Sequence, residues 1–275
     1  MLMFHQVDVF TSRFLLGNPL AVVHGAEGLT DGQMAAFARW TNLSETTFLL
    51  PPVHADADYR VRIFTTGGEL PFAGHPTLGS ARAWLEAGGT PKAADLVQEC
   101  GAGLVRVRRS AGDRLAFAAP PLIRGGDVDA VDLDQVKRAL HLKDEDVLGA
   151  QWADNGPGWL AVLLKDADTV LGIEPDPAAF GEHDKIGVVG PHPSGGEAAY
   201  EVRAFVGAAE DPVTGSLNAA IGQWLIGTGQ APESYVAAQG TRLQRRGRVH
   251  VERAGSDIWV GGDTVIGITG SVRLP

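Results

Sequence analysis

Apolar and polar residues alternate through "FHQVDVF", Phe4 to Phe10, which predicts a strand with one buried face. "GNPLAVV" follows as a turn and a second strand. In "TDGQMAAFARW", Met34, Phe37 and Ala38 fall on one helical face behind Thr30, a residue suited to cap a helix. "TTFLL" and "YRVRIFT" read as strands. "PTLGSARAWLEAGG" reads as a helix with Pro76 in its first turn and glycines after its end. "DLVQECGAGLVRVRR" predicts a hairpin around its glycines, and "RLAFAAP" another strand. The prolines, paired glycines and acids of "PPLIRGGDVDAVD" read as a linker. Beyond it, "LDQVKRALHL" predicts a helix, "WLAVLL" and "KIGVVG" strands, and "TGSLNAAIGQWLIGTG" a second helix closed by glycines.

The pattern repeats. At an offset of 141 residues, "YRVRIFTTGGELPFAGH" (59–75) falls on "YEVRAFVGAAEDPVTGS" (200–216), with seven of seventeen positions identical. They are Tyr59/Tyr200, Val61/Val202, Arg62/Arg203, Phe64/Phe205, Glu69/Glu210, Pro71/Pro212 and Gly74/Gly215. A further echo sets "VRVRRSAGD" (Val105 to Asp113) against "VHVERAGSD" (Val249 to Asp257), at an offset of 144. Two repeats in the same order imply two similar halves, 1–118 and 119–265, with the last strand, 266–275, completing the first. A cleft between such halves is the default place for a ligand.

Composition narrows the class. The chain has 275 residues, 44% of them hydrophobic and 20% charged, the balance of a soluble globular enzyme. A net charge of −10 argues against nucleic acid or an anionic membrane as partner. "MLMFHQVDVF" has no basic stretch and an early Asp8, so it does not read as a signal peptide, and no apolar run reaches the length of a membrane span. The single cysteine, Cys100, in a hairpin turn away from either helix start, excludes an intrachain disulfide and fits a reducing cytoplasm. No GxxxxGK[ST], GxGxxG or HExxH motif is present, which leaves nucleotide and zinc-protease readings without support.

The candidate chemistry gathers at the repeat. Gly74 and Gly215 each end a loop and open a helix, where unpaired N–H groups attract an anion and glycine lets a ligand come close. The plainer alternative is ordinary capping, with Asp211 as N-cap and Pro212 behind it. His75 sits at the first helix start, where the helix dipole favours a neutral ring able to exchange protons. Its alternative is a buried, satisfied histidine. Glu45 stands between Ser44 and Thr46 ahead of the apolar run Phe48 to Leu50; partial desolvation there would raise its pKa towards neutral. Its alternative is a solvated loop glutamate, with Ser44 capping a helix. Ser216, opposite His75 in the repeat, lacks the second glycine of a GxSxG elbow.

"NLSETTFLL", "RIFTTGGELPFAGHPTLGSA" and "EDPVTGSLNAA", in that order, resemble the phenazine-biosynthesis isomerase family, as do "GNPLAVV" and the "AAQG" ending at Gly240. The resemblance spans the chain. It implies an α+β fold like that of diaminopimelate epimerase: two similar α/β halves, each a curved, mostly antiparallel sheet around a central helix, with the active site in the cleft between them. It implies Glu45 as the proton-transferring acid/base, with His75, Asp211 and Ser216 assisting, and Asn18, Gly74, Thr214 and Gly215 binding substrate. It implies no cofactor and no metal, a small carboxylate-bearing substrate, and a homodimer. The family's namesake reaction isomerises trans-2,3-dihydro-3-hydroxyanthranilate. Related epimerases use a cysteine at each helix start. Here those places hold Gly74-His75 and Gly215-Ser216, which excludes a two-thiol mechanism. Three alternatives remain open at this point: epimerisation or racemisation of another small acid, a hydrolase using Ser216, His75 and Asp211, and a catalytically silent acid-binding protein.

Overall fold

Two thirteen-residue helices, each buried on nearly every side, organise the computed structural model. It describes residues 1–110, 112, 114–207 and 209–274; Ala111 and Asp113 of the second echo, Ala208 of the first repeat and Pro275 lie outside the described residues. The chain divides into two compact units, Met1–Ala118 with Gly261–Pro275, and Ala119–Val260.

The first unit contains β1 (Leu2–Val9), β2 (Asn18–Val23), α1 (Asp31–Thr41), β3 (Thr46–Leu50), β4 (Tyr59–Phe64), β5 (Glu69–Leu70), α2 (Gly74–Glu86), β6 (Leu96–Cys100), β7 (Gly103–Arg109), β8 (Leu115–Ala118) and the final strand Thr264–Val272. The final strand lies antiparallel to β1, and β1 to β2. β2 runs parallel to β3, β3 antiparallel to β4, and β4 antiparallel to β5 but parallel to β6. β7 is antiparallel to both β6 and β8. This sheet wraps α2, which touches β1, β2, β3, β6, β7, β8 and the final strand. Such wrapping needs a slim helix: a Cβ on Gly79 would lie 2.5 Å from Leu20 Cδ2. α1 begins as expected, with Thr30 and Gln33 forming a reciprocal capping box, and buries Met34, Phe37 and Ala38 against Phe48, Leu50 and Phe64.

The second unit contains α3 (Ala130–Ala139), β9 (Val147–Trp152), β10 (Leu160–Leu164), α4 (Ala167–Gly172), β11 (Lys185–Pro191), β12 (Tyr200–Val206), β13 (Ala209–Asp211), α5 (Gly215–Gly227), β14 (Ser234–Gln239), β15 (Gly247–Ala254) and β16 (Asp257–Gly262). The same pairing order recurs. β9 is antiparallel to β10, β10 parallel to β11, β11 antiparallel to β12, β12 antiparallel to β13 and parallel to β14, and β14 antiparallel to β15. α5 buries Leu217, Ala219, Ala220, Ile221, Trp224, Leu225 and Ile226. α3 and α4 cover the outer side, where Val136, Leu140, Val170 and Phe180 share a core with Val162, Ile186 and Phe205. With antiparallel sheet dominant and one helix enclosed in each unit, the fold class is α+β, as expected.

The repeated residues are the parts that fix each helix start. Arg62 Nε donates to Glu69 Oε1 at 2.7 Å and Nη2 to Oε2 at 2.5 Å, while Arg203 binds Glu210 in the same way at 3.0 and 2.7 Å. Each fork clamps the hairpin that leads into α2 or α5. Each guanidinium also lies over the aromatic ring two residues on, Phe64 at 5.1 Å and Phe205 at 4.8 Å.

Candidate active site

Asp8 in β1 accepts the Gly17 N–H on both carboxylate oxygens at 3.2 Å, which fixes the entry into β2. Only glycine fits at 17, because a Cβ there would lie 2.2 Å from Val9 O. The next residue, Asn18, is fully buried, and its Nδ2 stands 3.4 Å from His75 Nδ1. Glu45 immediately precedes β3. Ser80 of α2 donates to Thr47 Oγ1 at 2.9 Å, and Thr41 and Thr46 hydroxyls meet at 2.8 Å. These bonds join α2, β3 and α1 around Glu45, whose Oε2 lies 3.3 Å from His75 Nε2. The side chains of Glu45 and His75 are only 15% and 5% exposed, so Glu45 is not a solvated loop residue and Ser44 caps no helix.

His75 is neutral over the working range of pH. Its pKa falls to about 3, and the cause is burial of the ring rather than the helix dipole expected from the sequence. The contact with Glu45 is therefore not an ion pair near neutrality. A ring that accepts from the Asn18 amide at Nδ1 carries its hydrogen on Nε2, which lies 3.3 Å from Glu45 Oε2 without the alignment of a hydrogen bond. Within the first unit the two ring nitrogens lie beside Asn18 and Glu45.

In the second unit, Asp211 closes β13 and does not cap α5. The N-cap is Thr214, which makes no side-chain cap bond; its hydroxyl donates to Asp211 Oδ2 at 2.5 Å. Ala73, the N-cap of α2, also makes none, so neither N-cap side chain bonds to the first-turn N–H groups of its helix. Gly74 and His75 open α2, and Gly215 and Ser216 open α5. Ser216 Oγ accepts the indole N–H of Trp159 at 3.0 Å, and Ser216 O accepts from Asn155 Nδ2 at 2.9 Å.

Two residues the motif reading passed over hold these starts. Gln98 Nε2 donates to Thr77 Oγ1 at 3.0 Å, while the Tyr59 hydroxyl donates to Gln98 Oε1 at 3.2 Å. Gln239 accepts from Thr214 N and Asn218 Nδ2, and donates to Asp211 O and Thr214 Oγ1. Gln98 and Gln239 are themselves 141 residues apart, as are Thr77 and Asn218, so extending the repeat would have found them. Cys100 lies closer to a helix start than expected: its hairpin turn donates Ala102 N–H to Pro71 O, three residues before Gly74. Its thiol is pushed up by burial, which disfavours the thiolate. Among the described residues no group of three or more His, Cys, Asp and Glu is placed to hold a metal ion, and no helix is long and apolar enough to cross a membrane.

Residues 7–270 match the family model described as phenazine biosynthesis-like protein. The "Antisense-enhancing sequence 1" protein of Schizosaccharomyces pombe is 35% identical, over 97% of each chain. Trans-2,3-dihydro-3-hydroxyanthranilate isomerase of Pseudomonas aeruginosa is 52% identical over 75 residues, 27% of each chain. The crystal structure of a PhzF-family phenazine biosynthesis protein from Bacillus anthracis covers 99% of both chains with a TM-score of 0.84 at 23% identity, a likeness of fold. The chain thus belongs to the phenazine biosynthesis-like family and is an isomerase.

Proposed function

We propose that the protein moves a proton within a small carboxylate-bearing substrate, using acid/base chemistry of its own side chains and no cofactor. The observation that carries this reading is the buried contact of 3.3 Å between Glu45 Oε2 and the neutral ring of His75. Glu45 takes a proton from a substrate carbon and returns it to another. His75, steadied by Asn18, packs its neutral ring beside the carboxyl group and confines it. First-turn N–H groups at Gly74 attract the substrate carboxylate and stabilise developing enolate-like charge. In the second unit the α5 start at Gly215, with Asp211, Thr214 and Ser216, takes the carboxylate of a small acid in the same way. The P. aeruginosa relative's name supports a cyclic amino acid such as trans-2,3-dihydro-3-hydroxyanthranilate as the first candidate. The composition supports a cytoplasmic protein that engages neither nucleic acid nor membrane, and the family resemblance supports a homodimer.

Incubation with a panel of such acids in deuterated water, read by mass spectrometry, tests the reading. Label should enter the substrate or product at carbon. Conversion of an acid without solvent label would contradict a base that exchanges with water. Stoichiometric labelling of Ser216 by a fluorophosphonate would point to acyl transfer instead.

A further inference from the structure

The loop between β9 and β10, residues 153–158, is built rigidly against the first turn of α5. Asp154 Oδ1 accepts the N–H groups of Gly156 and Gly158 at 2.7 and 2.8 Å. Those glycines have φ of +135° and +91°, values that side-chain-bearing residues rarely adopt. Asp154 exchanges backbone hydrogen bonds with Arg124, and Ala153 N–H donates to Trp159 O to close the loop. From this frame two donors reach one residue: the Trp159 indole to Ser216 Oγ, and the Asn155 amide to Ser216 O.

The chemistry of those donors fixes what remains. An indole nitrogen only donates, so the Ser216 hydroxyl must accept there and its own hydrogen points elsewhere. Among the described residues no acceptor takes that hydrogen. Asn155 is oriented unambiguously, since a flipped amide would set two oxygens against each other. Its Oδ1 is then a buried acceptor with no partner, in a residue only 7% exposed. A buried acceptor left unmet is costly and calls for a ligand or water to complete it. One unspent donor and one unspent acceptor thus stand beside the same helix turn.

We propose that Asn155 and Trp159 set the specificity of this site: the Ser216 hydroxyl, aimed by Trp159, donates to a substrate carboxylate. Asn155 Oδ1 accepts from a hydroxyl or amino group carried beside that carboxylate. The preferred ligands are acids with an adjacent hydrogen-bond donor rather than plain carboxylates. This rests on the placing of a small acid at the α5 start, and the test separates the two.

Acetate, glycolate and methoxyacetate are titrated into protein labelled with ¹⁵N at tryptophan and glycine. Trp159 is assigned among the six indole signals through Trp159→Phe. All three acids should move the Gly215 amide and the Trp159 indole signal. Glycolate should bind about three- to ten-fold more tightly than acetate, the effect of one added hydrogen bond. Methoxyacetate, which keeps the ether oxygen but has no donor, should fall back to the acetate value. Asn155→Ala should erase the glycolate preference, and Ser216→Ala should abolish the indole response. Equal binding of glycolate and methoxyacetate overturns the role of Asn155, and that comparison needs no variant. An indole signal unmoved while the Gly215 amide shifts overturns the role of Trp159. If none of the acids moves either signal, the small-acid reading itself fails, and this inference fails with it.

Discussion

The same arginine–glutamate fork occurs in both units, yet its removal should cost very different amounts. Arg203 and Glu210 are 4% and 11% exposed, whereas Arg62 and Glu69 are 24% and 41% exposed. Arg203→Met keeps an apolar stem over Phe205 but leaves the Glu210 carboxylate buried without its guanidinium. It also strips the Nη1 donor from two carbonyls at the end of α4, Val170 O at 3.2 Å and Ile173 O at 2.7 Å. Breaking a buried ion pair from one side typically costs about 3–5 kcal/mol, and the orphaned carbonyls push towards the upper end. Arg62→Met leaves Glu69 and Asp31 free to hydrate, so the loss should be that of a surface pair, about 0.2–1 kcal/mol. Guanidinium unfolding followed by tryptophan fluorescence and circular dichroism measures both variants against wild type. Adding Glu210→Gln to Arg203→Met should recover part of the loss, because the uncompensated charge is then gone. Equal losses for the two single variants, or no recovery in the double, would refute the burial argument.

Acid should begin to destabilise the fold above the range where carboxylates titrate. His75 and His24 have folded pKa values of about 3 and about 4 against 6.5 unfolded, both lowered chiefly by burial. Their contribution is therefore complete above pH 6.5 and is lost as pH falls from 6.5 towards 4 and then 3. Melting temperatures at pH 7 and pH 5 should differ less in His24→Gln than in wild type, and an unchanged difference would count against this assignment. Cys100→Ala should keep essentially full activity, and thiol alkylation should not inactivate the enzyme; loss of activity in a folded variant would restore a thiol mechanism.

The sequence made much of this legible where the signal was local. Thr30 with Gln33, the one-sided Met34, Phe37 and Ala38, and the buried run Thr46 to Leu50 all lie within a few residues of what they determine. Asn18, Glu45 and His75 were identifiable as candidates, but the atoms by which they meet depend on β2, β3 and α2 packing together. Asp211 was misleading as a cap, because Asp-Pro at a helix start imitates the motif while Gln239, 28 residues away, fixes the true boundary at Thr214. Asn155 and Trp159 left no periodic trace at all. Their loop is glycine-rich and polar, and its meaning comes from Ser216, about 60 residues further along the chain.

The central claim, that Glu45 carries the proton, is tested most directly by solvent-deuterium exchange in Glu45→Gln. The substitution keeps size and hydrogen bonding but cannot accept a proton from carbon. Wild type should wash deuterium into an accepted acid. Glu45→Gln should still bind that acid but exchange it on the order of a hundred- to ten-thousand-fold more slowly. A folded Glu45→Gln protein that binds and exchanges at the wild-type rate would contradict the account.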